Sequence, residues 1–222
     1  MNRFMALFAV ASLILAPTAA KADYFLWQDA KSGLTMTFPD TWKVQSDQQP
    51  DDILTIQGPA RDNAQPVCRV RVRDDKRALI FPPEYSRSVQ KTYVSEKFWQ
   101  DYMAGYDAFN LGPIYEGGLG RGFASYTTAS FTRRDGTVFQ NRSGILFASL
   151  YFDKVYIVDC SSLSESYDQW IDLFRSIVKS VNFKKTHHER DHGDYANFYA
   201  NFLERADYFT WSQTSPVGTT AY

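Results

Sequence analysis

Two cysteines, Cys68 and Cys160, are the only ones in this 222-residue chain, and the compartment in which they fold decides what they do. The N-terminus sets that compartment. Asn2 and Arg3 make a short polar start, Phe4 to Leu15 an apolar run, and Ala20-Lys21-Ala22 a small-residue site of the A-x-A type. That is the anatomy of a secretory signal peptide, cut after Ala22. The apolar run is too short for the roughly 20 residues a spanning helix needs. The mature chain is therefore expected to be periplasmic, with no transmembrane segment after cleavage. In an oxidising compartment two cysteines have one pairing, so a Cys68–Cys160 disulfide is expected. In the chain-entropy model, closing a loop of about 90 residues contributes at most about 4 to 5 kcal/mol. A redox-active pair would instead present as Cys-x-x-Cys at a helix start.

Residues 1–22 being the signal, residues 23–183 are long enough for one sizeable core, and residues 184–222 form an appendage. With 24 basic against 25 acidic side chains, nothing draws nucleic acid or anionic lipid from a distance. Aromatic residues make up 16% of the chain and recur at strand and helix periods, which marks packing faces.

Leu34, Met36 and Phe38 alternate with Thr35 and Thr37, a half-buried strand that Pro39-Asp40 ends. Trp42 and Val44 resume an extended segment. Further strands read at Ile53 to Gln57 and Cys68 to Arg73, giving an antiparallel meander. From Glu84 to Tyr106 the period turns helical, with a break near Thr92 to Ser95. Strands return at Gly122 to Thr132 and Val138 to Phe147 across Asp135-Gly136, a hairpin signal, and again at Val155 to Cys160. The clearest helix runs from Ser164 to Ser180, with Tyr167, Trp170, Ile171, Phe174, Ile177 and Val178 on one face. Val181-Asn182-Phe183 is a short closing strand. The order predicts an α+β fold: an antiparallel sheet sandwiched by helices.

Gly33-Leu34-Thr35-Met36-Thr37-Phe38-Pro39-Asp40-Thr41-Trp42-Lys43-Val44 resembles the opening strand, Pro, turn, Trp segment of PsbP/DcrB-like proteins. The stretch Phe174 to Phe183 is similar to the helix and strand that end that fold. The family includes the photosystem II extrinsic subunit P, bacterial envelope proteins and a nuclear-import factor that binds the GTPase Ran. The resemblance follows the element order from residue 24 to residue 183. It implies a sheet between helices and domains that work mostly by docking on other proteins; it transfers no binding residue to a position here.

His188-Glu189-Arg190-Asp191-His192 spells H-E-x-x-H, in which two imidazoles one turn apart hold zinc and the Glu activates water. The surroundings oppose that reading. Zincin spacers are uncharged and sit in a buried helix, whereas Arg190-Asp191 are charged and Gly193 breaks a helix. The segment reads as a solvated linker, with weak metal binding at His188, Glu189 and His192 as its alternative; no cofactor is expected. Gly117-Gly118-Leu119-Gly120-Arg121-Gly122 leads into a strand rather than a helix, so it reads as a flexible hairpin or strand-edge loop and not a phosphate cradle.

Arg69, Arg71 and Arg73 share the strand face opposite Cys68, Val70 and Val72. Three like charges in a row need a partner. Either cross-strand carboxylates pair them or they hold an acidic surface. In the tail, Tyr195, Phe198, Tyr199 and Phe202 follow helical spacing, an amphipathic aromatic stripe that folds back on the sheet, docks on a protein or lies on a membrane, the last opposed by its single basic residue, Arg205. The reading that results is an exported, non-catalytic binding or accessory protein of the envelope, with a protein partner. Its alternatives are a small metal-dependent hydrolase using the H-E-x-x-H segment and a carrier of lipid or another small ligand.

Overall fold

In the computed structural model, which describes residues 23–184 except 47–48, 61–64, 83–84 and 136, the alternating apolar segments become strands. In chain order these are β1 (Tyr24–Gln28), β2 (Leu34–Pro39), β3 (Lys43–Val44), β4 (Asp52–Gln57) and β5 (Val67–Asp74). Three short helices follow: α1 (Arg77–Ile80), α2 (Ser86–Lys91) and, after a 3-10 turn at Thr92–Val94, α3 (Glu96–Met103). Then come β6 (Ala108–Leu111), β7 (Tyr115–Leu119), β8 (Gly122–Asp135), β9 (Val138–Tyr151), β10 (Lys154–Leu163), α4 (Tyr167–Ser180) and β11 (Asn182–Phe183).

The strands make two antiparallel sheets, where the sequence pattern suggests one. The large sheet runs β3-β4-β5-β10-β9-β8-β6, with β7 also paired to β8, and a small sheet runs β1-β2-β11. The long hairpins β8–β9 and β9–β10 form the centre of the large sheet, the first paired as far as Asp135 opposite Val138. The glycine-rich segment is the β7–β8 hairpin, whose turn residue Gly120 has φ +57°, a conformation that glycine adopts without strain.

Both faces of the large sheet are covered, which is why β10 reads as an almost unbroken apolar run. On one face Trp170, Phe174, Ile177 and Val178 of α4 meet Leu34, Met36 and Phe38 of β2 and Trp42. The Trp42 ring stands edge-on to Trp170 at 6.2 Å and to Phe174 at 6.4 Å, so the two segments carrying the family resemblance pack on each other. The Thr37 N–H donates to Ser180 Oγ at 2.8 Å, tying the end of α4 to β2. On the other face Trp99 and Met103 of α3 pack on Leu146, Ala148, Leu150 and Ile157. The break expected between α2 and α3 is real, and it has a cause: Ser95 caps α3, its Oγ accepting from the Phe98 N–H at 3.2 Å. No helix among the described residues is long and apolar enough to cross a membrane.

Phe174 is fully buried between the two sheets and α4. Replacing it with Ala is expected to cost about 3 to 5 kcal/mol by chemical denaturation, because a ring-sized void is left in a two-sided core. A loss below about 1 kcal/mol would be inconsistent with this packing.

Candidate functional site

The strand period puts alternate β5 side chains on opposite faces, and both sets prove to be occupied. On the α4 face, Cys68 and Cys160 stand directly opposite each other on β5 and β10, their Cα atoms 4.0 Å apart, and form a disulfide. Both are inaccessible to solvent. One residue along, on the α3 face, Arg69 stands opposite Asp159 and its Nε donates to Asp159 Oδ1 at 3.0 Å. Their side chains are 12% and 4% exposed.

The aromatic residues at and after the end of α3 close over this pair. The Tyr102 hydroxyl donates to Asp159 Oδ2, and Arg69 Nη2 donates to the Tyr106 hydroxyl. Burial opposes a charge on Arg69, but the Asp159 carboxylate outweighs it, so the guanidinium holds its proton more tightly than an ordinary arginine. Burial, reinforced by Asp159, pushes the Tyr102 phenol well above its ordinary value and keeps it a neutral donor.

Arg71 lies over the Tyr102 ring, 5.2 Å from its centroid, and its Nε donates to Asp52 Oδ1 at 2.6 Å. Arg73 is about half exposed and reaches Asp51 at 2.6 Å. The arginine row is thus matched by carboxylates of the same chain, and Arg73 alone of the three opens substantially to water. The arrangement offers buried, satisfied ion pairs rather than an open anion cradle.

A second polar knot forms just beyond β5. Asp75 accepts from the Arg77 backbone N–H at 3.0 Å and from its Nη2 at 2.7 Å, and the Tyr93 hydroxyl also donates to it. Burial alone would raise the Asp75 carboxyl, but the hydrogen bonds from Arg77 and Tyr93 prevail and hold it at about 2. Burial and the Asp75 bond push the Tyr93 phenol up to about 12.

The small sheet ends at an edge of a different character. Tyr24, Phe25 and Leu26 of β1 are 57%, 51% and 63% exposed, and β1 pairs only with β2 among the described strands. Its partly buried Trp27 anchors it to the core. The strand carries no charge and no proline, the devices that usually protect an edge.

The other residues singled out from the sequence, His188, Glu189, His192, Tyr195, Phe198, Tyr199 and Phe202, lie outside the described residues. Among the described residues no group of three or more His, Cys, Asp or Glu is arranged to hold a metal ion. The sequence pattern gave Asp159 and Asp52 no role, and placed Tyr102 only on a helical stripe and Arg142 only within a strand. Asp159 had a signal: it is the one charge in the apolar stretch from Val155 to Cys160, opposite the arginine row.

No family of proteins matches the chain by sequence, and no curated protein does. By structure, the chain is similar to cyanobacterial PsbP (CyanoP) from Synechocystis sp. PCC 6803, with 14% identity and a TM-score of 0.46 over 78% of this chain and 99% of that one. It is also similar to LpqN of Mycobacterium tuberculosis, a protein involved in cell envelope biogenesis, with 12% identity and a TM-score of 0.46 over 73% of this chain and 91% of that one. A third similar structure is PA94 from Pseudomonas aeruginosa, with 10% identity and a TM-score of 0.46 over 73% and 99%. The likeness is one of fold, PsbP-like and α+β.

Asp159→Asn would leave Arg69 buried without a carboxylate and is expected to cost about 3 to 5 kcal/mol in urea denaturation. The Arg69→Met, Asp159→Leu double variant, which removes both charges, should recover most of that loss. A second expectation concerns acid. Because the folded pKa of Asp75 lies below its ordinary 3.8, at about 2, its stabilising effect is complete above about pH 4 and is lost as pH falls through about 2. Asp75→Asn should therefore flatten the stability profile between those values, as followed by circular dichroism.

Proposed function

We propose that this is an exported, non-catalytic accessory protein of the bacterial envelope, which acts by docking on another protein. The observation that carries the reading is β1: an uncharged edge strand whose Tyr24, Phe25 and Leu26 are all exposed. An edge of this kind accepts an added strand, the main chain supplying affinity and the flanking side chains specificity. The arginines of β5, by contrast, are already paired with Asp159, Asp52 and Asp51. Cleavage after Ala22 would leave Asp23 directly before β1, so export and release of this edge would be coupled. The aromatic stripe Tyr195, Phe198, Tyr199 and Phe202 would supply a second anchor, since aromatic residues dominate docking energetics.

A photo-crosslinking residue at Leu26, in cells that export the protein, tests this reading. The expected product is an adduct to a distinct envelope protein that disappears in the Tyr24→Lys variant, while the fold is retained, since exposed substitutions usually change stability by no more than about 0.5 kcal/mol. An adduct confined to residues 185–222 of the same molecule would show that the tail covers β1 and would overturn the proposal. Mass spectrometry of the periplasmic fraction should give a mature chain starting at Asp23.

A further inference from the structure

Arg142 occupies β9 on the α3 face, opposite Phe131 of β8 and Leu163 of β10. It is 5% exposed. Its Nε donates to Ser161 Oγ at 3.3 Å, and its Nη2 donates to the carbonyls of Ser161 at 2.9 Å and Gln65 at 3.1 Å. Among the described residues its Nη1 meets only Gln140 Oε1, at 3.5 Å, beyond ordinary hydrogen-bond length. All four acceptors are neutral, and no carboxylate among the described residues forms an ion pair with it. Arg69 and Arg71, on the same face, each have an aspartate.

A buried cation with no carboxylate bonded to it is costly, and arginine cannot escape by losing its proton. Burial, then the nearby Arg133 and Arg69, outweigh the weaker pull of Tyr106 and Asp159 and lower the Arg142 guanidinium to about 10, which still leaves it charged at neutral pH. The neighbourhood adds positive charge. Arg133 pairs in register with Gln140, which makes it a diagonal neighbour of Arg142 on one sheet face, about 7 to 8 Å away along the backbone and within reach of two long side chains. Arg133 is exposed and has no ion pair among the described residues.

We propose that Arg142 and Arg133 form a binding site for a single oxyanion, a carboxylate or a phosphate group. Arg142 Nη1 and the Arg133 guanidinium donate to its oxygens, and Gln140, which already holds Nη1 loosely, marks the side from which it enters. Ser161 and Gln65 hold the remaining nitrogens of Arg142, so the fork is oriented before the anion arrives. The site lies at the β8–β9 end of the large sheet, apart from β1, and it stands or falls independently of strand addition there.

The test is an NMR titration that follows the Arg142 Nε–H signal in protein with labelled arginine. Sodium phosphate and sodium acetate are each compared with sodium chloride at equal ionic strength. The expected result is a saturable shift with phosphate or acetate and none with chloride; the anion that saturates identifies a phosphate or a carboxylate as the natural group. Arg133→Gln, an exposed change that leaves the fold intact, should weaken binding roughly tenfold, the loss of one charge-assisted contact. Arg142→Lys, which keeps the charge but not the fork, should abolish it. Shifts that follow ionic strength alike in all three salts, or an affinity unchanged in Arg133→Gln, would overturn the proposal and leave Arg142 as a brace between β10 and the segment before β5.

Discussion

The pairing of β5 with β10 is the constraint on which the rest of the structure depends. At neighbouring positions along this ladder the strands are joined covalently on one face, by Cys68–Cys160, and electrostatically on the other, by Arg69–Asp159. The two joints differ in kind. The disulfide acts mainly by restricting the unfolded chain, whereas the ion pair is stable only if the folded chain keeps water out and satisfies the remaining donors and acceptors. That second condition reaches well beyond the strands. Tyr102 and Tyr106 must stand over the pair, which fixes where α3 lies, and the cap at Ser95 fixes where α3 begins.

The two faces then divide the work of stability. The α4 face is a core of aromatic and aliphatic side chains in which Trp42 joins segments far apart in the chain, so it ties the small sheet to the large one. The α3 face is mixed: Trp99 and Met103 pack over apolar residues, while beside them the arginine and aspartate rows neutralise each other. The N-terminal cysteine strand therefore belongs to both layers at once. A change at β5 disturbs a dry core on one side and a charge network on the other.

What could be read from the sequence follows the same division. The helix carrying Trp170 and Phe174 was legible because one face of it is buried and the other wet, which produces a 3.6-residue period. The β8–β9 hairpin and the break before α3 were legible from local backbone chemistry. β1, β6 and β7 were not. β1 is exposed on both sides and shows no alternation, and β6 and β7 are short edge pieces, the latter rich in glycine. The arginine row could be placed on a face, but its partners come from β10, α3 and the start of β4, at separations no local period encodes. The setting of Arg142 was hidden by the same rule, since its neutral acceptors come from β10 and the segment before β5.

Coverage of both faces also limits where this protein can meet another molecule. A sheet with one bare face could bind through that face, but here α4 with the small sheet covers one side and α2 with α3 the other. Among the described residues that leaves the sheet edges and ends and the outer surfaces of the helices. Two places where the described chain departs from self-sufficiency are of that kind: β1, which leaves apolar side chains and one row of backbone groups without a neighbouring strand, and the β8–β9 end, where Arg142 is held by neutral acceptors and makes no ion pair among the described residues. The first calls for main-chain pairing and the second for negative charge. An acidic extended segment supplies both chemistries, so a single partner could use the two sites, provided its chain spans the distance from the small sheet to the far end of the large one.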